Sequence, residues 1–320
     1  MFDLLLVALG VVLLTGGGEA LIRGSLAAAR RMGVSPLLSG LLIVGFGTSA
    51  PELVVSVDAA LNKSPDIAVG NVVGSNIGNI LLILGLCALI TPLAVKPLVL
   101  RRDAVTVVGA SLLFLVLVGG NALARFDGTI LLLALSAYLI WAYRTERSGM
   151  APSSELHSAE GAEVISLPKT TLWIITAVAF GLVLLVGGSQ VLLKGAIGIA
   201  ESFGLSEAFI GLTLVAVGTS LPELSISVIA AVRRHADVAI GNILGSNIFN
   251  LLGILGISAL LQPLPVHERI LQFDQWVMLG TSLALLLFLY TGGRLSRIEG
   301  GLLMLGYVVY VWLGFSTFDV

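Results

Sequence analysis

The sequence predicts an all-α membrane protein with ten transmembrane helices, arranged as two inverted five-helix repeats in which helices 2 and 7 are broken. Three observations lead to this fold class. The composition is too apolar for a protein surface in water, the second half of the chain repeats the first, and positive charge is concentrated on alternate connections between the apolar segments.

The composition excludes a soluble domain. Of the 320 residues, 57% are hydrophobic and only 11% are charged, whereas about 25% of the residues in a soluble domain are charged. The apolar runs are long enough to cross the hydrocarbon core of a bilayer, which is about 30 Å thick and takes about 20 helical residues. These runs are unbroken, whereas a transmembrane β-barrel requires strands that alternate apolar and polar residues. The spans are therefore predicted to be helices.

Residues that other functions require are scarce. The net charge is −2 without a basic block, so we expect no nucleic acid partner. A single cysteine, Cys87, allows no disulfide framework or thiolate metal site, and His157, His235 and His267 all fall in polar connections. An intramembrane protease would need a Ser–His pair or two catalytic aspartates inside the membrane. No histidine falls inside a predicted span and only Asp58 comes near, so we expect no enzyme. We expect the lipid bilayer to surround the protein. We also expect no resident cofactor and no obligate protein partner.

An internal repeat divides the chain into two halves. Residues Gly40–Leu93 align without a gap with Gly211–Leu264, and about 30 of the 54 aligned positions are identical, polar residues included. We predict a first five-helix repeat at 1–147, a polar linker at 148–171 and a second repeat at 172–320. The predicted spans are 3–29, 36–61, 66–91, 103–121 and 128–145, then 172–200, 207–232, 237–262, 273–291 and 298–316.

Basic residues separate the two sides of the predicted bundle. Lys63, Arg125 and Arg269 lie on one side, with Lys194 near it. The other side, which includes the linker, carries Arg30, Arg31, Lys96, Arg101, Arg102, Arg144, Arg147, Lys169, Arg233, Arg234, Arg294 and Arg297. Positive charge stays in the cytoplasm. We therefore expect a multi-pass protein of the cell membrane with both termini extracytoplasmic and a cytoplasmic linker.

Spans 2 and 7 carry the same broken-helix motif. Residues 47–52 read GTSAPE and residues 218–223 read GTSLPE. Because proline lacks an amide hydrogen and clashes with the carbonyl four residues earlier, each helix is predicted to break near Gly47 and Gly218. The carbonyl oxygens freed by such a break need a partner in lipid, and a dehydrated cation is one.

Spans 3 and 8 carry a second repeated motif, a polar stripe on an apolar helix. The stripe repeats every fourth residue and consists of Asn71, Ser75 and Asn79 in span 3 and of Asn242, Ser246 and Asn250 in span 8. Asn76 and Asn247 lie beside the stripe, and the sequence leaves open whether they lock the helices together or serve the function.

Glu52 and Glu223 stand inside apolar spans. A charged residue at the centre of a bilayer costs roughly 2.5–3.5 kcal/mol on insertion scales, and such residues are usually functional. Carboxylate, hydroxyl and carbonyl oxygens suit Ca²⁺ or Na⁺, and softer ligands are absent. One Ca²⁺ would neutralise both glutamates. The alternative is that the glutamates only hold helices together.

The motifs G-T-S-x-P-E and G-N-x-x-G-S-N-I-x-N resemble the α-repeats of the sodium/calcium exchanger branch of the cation/calcium antiporter superfamily, in a prokaryotic form without a regulatory domain. The resemblance implies exchange of Ca²⁺ for Na⁺ by alternating access. It implies a Ca²⁺ site made by Glu52, Glu223 and the carbonyls of Thr48 and Thr219. The implied Na⁺ ligands are Gly45, Thr48, Ser49, Glu52, Ser75, Asn79, Ala216, Thr219, Ser220, Glu223, Ser246 and Asn250.

The coupling ion has an alternative. Several exchangers carry an aspartate at the position of Asn250, whereas this chain has asparagine in both copies. A proton-coupled Ca²⁺ antiporter therefore stays open, although protons need only the carboxylates and the hydroxyl-rich pocket favours Na⁺. A channel could use the same ligands, but inverted repeats with broken helices favour alternating access.

Overall fold

The structure of the chain, a computed structural model, describes residues 2–33, 36–95, 97, 99–148, 170–202 and 218–317. Its helices are α1 (Phe2–Met32), α2a (Gly40–Thr48), α2b (Ala50–Leu61), α3 (Pro65–Ile90), α4 (Arg101–Gly120), α5 (Arg125–Ser148), α6 (Thr171–Ser202), α7 (Leu221–Val232), α8 (Ala236–Leu261), α9 (Ile270–Gly292) and α10 (Arg297–Thr317). Four strands of two residues each are β1 (Leu93–Ala94), β2 (Ala122–Leu123), β3 (Leu264–Pro265) and β4 (Arg294–Leu295).

The helices are those of a membrane protein with several spans. Among the described residues, seven helices are long and apolar enough to cross a bilayer: α1, α3, α4, α5, α6, α8 and α9. The bent pair of α2a and α2b makes an eighth if it is one span. The described part of α7 is apolar but has only 12 residues, and positions 207–217 of predicted span 7 lie outside the described residues, as do positions 149–169 of the linker. The total of ten spans therefore stays a prediction.

The predicted break in span 2 is present and lies at Ser49, two residues after Gly47. α2a and α2b meet there at a bend of 47°. Pro51 stands in the first turn of α2b, where a missing amide hydrogen is tolerated because the first amides of a helix have no partner within it. The second helix can therefore begin directly before the proline. Pro222 has the same place in α7, which begins directly after Ser220.

α3 and α8 form the centre of the molecule. Their most apolar stretches are 67% and 83% buried, against 28% for α5 and α6. Both helices widen into a π-helical turn at nearly equivalent places, Asn79–Leu84 and Phe249–Ile254. Such turns are rare and occur frequently at functional sites. The two polar stripes thus lie on the most enclosed helices of the fold.

The equivalent helices α1 and α6 pack against each other in opposite directions. A Cβ added at Gly10 would lie 2.5 Å from Leu192, and one at Gly17 would lie 2.9 Å from Leu184. Further along α1, Gly24 faces Val178 in the same way. Partner numbers fall as α1 numbers rise, so the helices are antiparallel, as an inverted repeat requires. The glycines permit this close approach because they lack a Cβ.

The short strands pair across the repeats. β1 pairs with β4 and β2 pairs with β3, both antiparallel. The alignment of the two halves makes β3 the counterpart of β1 and β4 the counterpart of β2. Exchanging the two repeats therefore exchanges the two strand pairs. Such reciprocal contacts are what an approximate two-fold axis between the repeats produces.

The glycine seam between α1 and α6 gives a first prediction. Gly17→Ala should lower stability by about 1–3 kcal/mol, because the new methyl would meet the backbone of α6, as overpacking does elsewhere. Gly16→Ala is the matched control, since a Cβ there meets nothing within 4 Å. Thermal unfolding of the detergent-solubilised proteins, followed by tryptophan fluorescence, measures both. Equal Tm values for the two variants would contradict the packing described.

Candidate cation-binding site

Glu52 and Glu223 lie in the first turns of α2b and α7, and each is only 1% exposed. The N-terminal end of a helix carries partial positive charge, which stabilises a carboxylate. Each glutamate also accepts a hydrogen bond from a serine of the other repeat. Ser220 Oγ donates to Glu52 Oε1 at 3.1 Å, and Ser49 Oγ donates to Glu223 Oε1 at 2.9 Å. The two carboxylates therefore share one buried site where the repeats meet.

An asparagine of each polar stripe holds the backbone of a glutamate. Asn71 Nδ2 donates to the carbonyl oxygen of Glu52 at 3.3 Å and to Ser56 Oγ at 3.0 Å. Asn242 makes the equivalent bonds in the second repeat, at 3.2 and 2.8 Å. The two stripes thus tie the glutamate-bearing helices α2b and α7 to α3 and α8.

The other predicted ligands surround the glutamates. Ser246 Oγ donates to the carbonyl of Gly45 at 3.0 Å, and it lies 3.5 Å from Glu223 Oε1. Ser75 Oγ lies 3.4 Å from Ser220 Oγ. Thr48 Oγ1 donates to Asn242 Oδ1 at 3.1 Å. Asn79, Thr219 and Asn250 have buried oxygens in the same region, while Ala216 lies outside the described residues.

Several oxygens of this cluster have no hydrogen-bond partner. In the part of the chain that the structure describes, seven buried side-chain oxygens are unpartnered, and five of them belong to predicted site residues. These five are Glu52 Oε2, Asn79 Oδ1, Thr219 Oγ1, Glu223 Oε2 and Asn250 Oδ1. Buried polar atoms are almost always satisfied, so a cluster of exceptions indicates a missing partner. Several oxygen donors beside two carboxylates are the type of ligand set that a hard cation prefers.

A cavity of about 600 Å³ leads to this cluster from one side. Asp66 and Arg269 line it next to the connections that precede α3 and α9, and Ser75, Thr219 and Ser220 line it beside the glutamates. These three hydroxyl-bearing residues thus border the cavity.

The equivalent path on the opposite side is closed. Among the described residues, nothing lies within 4 Å of a Cβ at Gly74, whereas a Cβ at its counterpart Gly245 would collide with the carbonyl oxygen of Leu41. The cavity is lined by Gly78, but Phe249 stands at the counterpart position and stacks on Phe46 with ring centroids 4.4 Å apart. Positions 212 and 217, the counterparts of Leu41 and Phe46, lie outside the described residues.

Two buried aspartates were missed in the sequence. Asp103 in α4 accepts from Arg102 Nε at 2.6 Å and from Tyr138 at 2.8 Å. Its counterpart Asp274 in α9 lies 3.2 Å from Arg269 Nε and accepts from the Tyr310 hydroxyl at 3.0 Å. The signal was available, because the two aspartates align between the repeats at the start of predicted spans 4 and 9. Asp274 lines the cavity, whereas Asp103 is fully buried.

Comparison with known proteins agrees with this geometry. The family model of the sodium/calcium exchanger protein matches residues 2–144 and 173–315. The chain is 38% identical over 315 residues to the putative antiporter CaxA of Alkalimonas amylolytica, covering 97% of this chain and 98% of the relative. It is 33% identical over 352 residues to the sodium/calcium exchanger MaX1 of Methanosarcina acetivorans, covering 97% of each.

The fold is also similar to a solved structure. The sodium-calcium exchanger NCX_Mj matches 98% of both chains with a TM-score of 0.83 and 29% sequence identity. A family model that covers both halves, and relatives that match nearly the whole length, leave one assignment. This chain belongs to the sodium/calcium exchanger family, a family of membrane transporters.

Proposed function

We propose that this chain exchanges Ca²⁺ for Na⁺ across the cell membrane by alternating access. The observation that carries the proposal is the pair of reciprocal Ser–Glu contacts around carboxylates whose other oxygens have no partner. An unpaired buried charge costs several kcal/mol. One Ca²⁺ would neutralise both glutamates, and Na⁺ ions would do so with the help of neutral oxygens. The two cations would thus compete for one site.

The ligands divide between the two ions by charge. Glu52, Glu223 and the carbonyls of Thr48 and Thr219 would hold Ca²⁺, which needs most of the negative charge. Na⁺ would share the glutamates and add neutral oxygens from Gly45, Thr48, Ser49, Ser75, Asn79, Ala216, Thr219, Ser220, Ser246 and Asn250. The transported ions are the only ligands that this mechanism uses.

The proposal includes the ten-span inverted repeat and its orientation. The antiparallel packing of α1 and α6 and the reciprocal strand pairs support the inversion. The distribution of Lys and Arg supports extracytoplasmic termini and a cytoplasmic linker. The cavity would then open to the outside. Transport would require it to close while the equivalent path along α8 opens.

A proton-coupled Ca²⁺ antiporter is the second candidate. Asparagine at both Asn79 and Asn250 leaves the site with two carboxylates, and two protons neutralise these as one Ca²⁺ does. The buried hydroxyls at Ser75 and Ser246 favour Na⁺, because they serve no purpose in binding a proton to a carboxylate.

The glutamates give the most direct test. Glu52→Gln and Glu223→Gln should each reduce Ca²⁺ exchange at least about a hundredfold, because removing one partner of a buried charge cluster typically costs 3–5 kcal/mol. Uptake of ⁴⁵Ca²⁺ into proteoliposomes with an imposed Na⁺ gradient measures the rate. Near-normal exchange by either variant, with protein insertion unchanged, would refute the site.

The serines distinguish Na⁺ from H⁺ coupling. Ser75→Ala and Ser246→Ala should raise the Na⁺ concentration for half-maximal Ca²⁺ release about threefold to tenfold, the value of one modest polar contact. Ca²⁺ binding should change much less, because it depends mainly on the carboxylates. Ser111→Ala is the control, a buried serine that bonds Ser282.

Proton coupling predicts a different result for the same vesicles. If both serine variants behave like the parent, and a pH gradient alone drives Ca²⁺ uptake without Na⁺, the second candidate replaces the first.

The one-sided cavity predicts one-sided access. Ile67 lines the cavity and is 58% exposed, whereas its counterpart Val238 is 1% exposed. A membrane-impermeant thiol reagent should therefore modify Ile67→Cys from outside and leave Val238→Cys unmodified from either side in this state. The native Cys87 is fully buried and should give no background. Equal modification of both variants would contradict the one-sided access.

A further inference from the structure

We propose that Asn76 and Asn247 are positioning residues. They fix the orientation of the Asn79 and Asn250 side-chain amides, so that both amides present oxygen rather than nitrogen to the transported cation. The inference rests on the proposed function, because a cation beside the glutamates is the partner that these oxygens would bind. It gives a role to two residues that the sequence left between helix packing and function.

The orientation of the first pair follows from backbone atoms. Asn76 Nδ2 donates to the carbonyl oxygen of Asn247 at 3.1 Å, and Asn247 Nδ2 donates to the carbonyl oxygen of Asn76 at 3.3 Å. A carbonyl oxygen can only accept, so each side-chain nitrogen must face it. The side-chain oxygens of Asn76 and Asn247 therefore point the other way, each toward an amide of the opposite repeat.

The orientation passes on to the second pair. Asn79 Nδ2 donates to Asn247 Oδ1 at 2.9 Å, and Asn250 Nδ2 donates to Asn76 Oδ1 at 3.1 Å. A flipped Asn79 amide would set its oxygen against Asn247 Oδ1 and aim its N–H groups into the site. The network excludes that state. Among the side-chain atoms of these four asparagines, only Asn79 Oδ1 and Asn250 Oδ1 have no hydrogen-bond partner.

The four asparagine side chains are buried, so the orientation of their amides determines which atoms face the site. All four asparagines are 0–1% exposed, so water cannot replace a lost contact. Their positions coincide with the contact between α3 and α8, and Asn79 begins the π-helical turn of α3. An amide oxygen attracts a cation and an amide N–H group repels it. A four-residue network thus adds two ligands to the site without adding charge.

The test measures Na⁺ binding to the purified full-length chain in detergent, as the Na⁺ concentration that displaces half of the bound ⁴⁵Ca²⁺. Asn247→Ala should raise that concentration about tenfold, the value of a contact to a charged group, because the amide of Asn79, a proposed Na⁺ ligand, can then turn. In an Asn79→Asp background the same substitution should not raise it, since a carboxylate presents oxygen in either orientation. Ser282→Ala, which removes another buried contact between the repeats, should have no effect in either background.

A residue that only packs the helices would act equally in both backgrounds. Equal weakening of Na⁺ binding by Asn247→Ala with Asn79 and with Asp at that position would overturn the inference, as would parental Na⁺ binding by Asn247→Ala. Asn76→Ala, measured with Asn250 and with Asn250→Asp, is the equivalent test in the other repeat and is used if Asn247→Ala is not monodisperse. Glu223→Gln is measured in parallel for ⁴⁵Ca²⁺ binding. Its loss of Ca²⁺ binding beside normal Na⁺ binding by Asn247→Ala refutes the positioning role alone, whereas its normal Ca²⁺ binding refutes the proposed function as well.

Discussion

The rest of the structure depends on one constraint, two carboxylates buried together between the repeats. Glu52 and Glu223 are almost fully enclosed, and the described residues place no basic side chain in hydrogen-bond contact with them. Their environment compensates with dipoles. Each lies at the start of a helix, accepts from a serine of the other repeat and has its backbone held by an asparagine. Dipoles and hydrogen bonds stabilise a buried carboxylate less than a paired basic side chain would. The carboxylates therefore remain available to a cation that binds and is released.

The described residues show how the first broken helix packs on the centre of the bundle. The cavity runs along α3 beside Gly74 and Gly78, and the equivalent face of α8 is covered by Leu41 and by the stacked Phe46 and Phe249. The two-fold relation is kept in the Ser–Glu and Asn–Asn contacts at the centre and in the two strand pairs. Under the proposed alternating access, an inverted repeat changes sides by exchanging the conformations of its halves.

Neutral asparagine side chains join the two repeats at the centre of this bundle. The four central asparagines bond one another across the repeats, and only two of their oxygens stay free. The charged groups Asp103 and Asp274 each have an arginine and a tyrosine as partners. In a low-dielectric interior a satisfied polar network is rigid, whereas an unpaired group is costly. The hydrogen bonds that hold the four asparagine side chains in place also leave the side-chain oxygens of Asn79 and Asn250 without a partner.

The sequence by itself determined the helical membrane class, the repeated motifs and the types of ligand, because these follow from hydropathy, an alignment of the chain on itself and donor chemistry. It also indicated a break in helix 2, though the break lies at Ser49, since the helix restarts beside Pro51. Only the tertiary structure decided which serine faces which glutamate and which asparagines bond one another across the repeats. These contacts depend on distances between residues about 170 positions apart, which no local motif encodes.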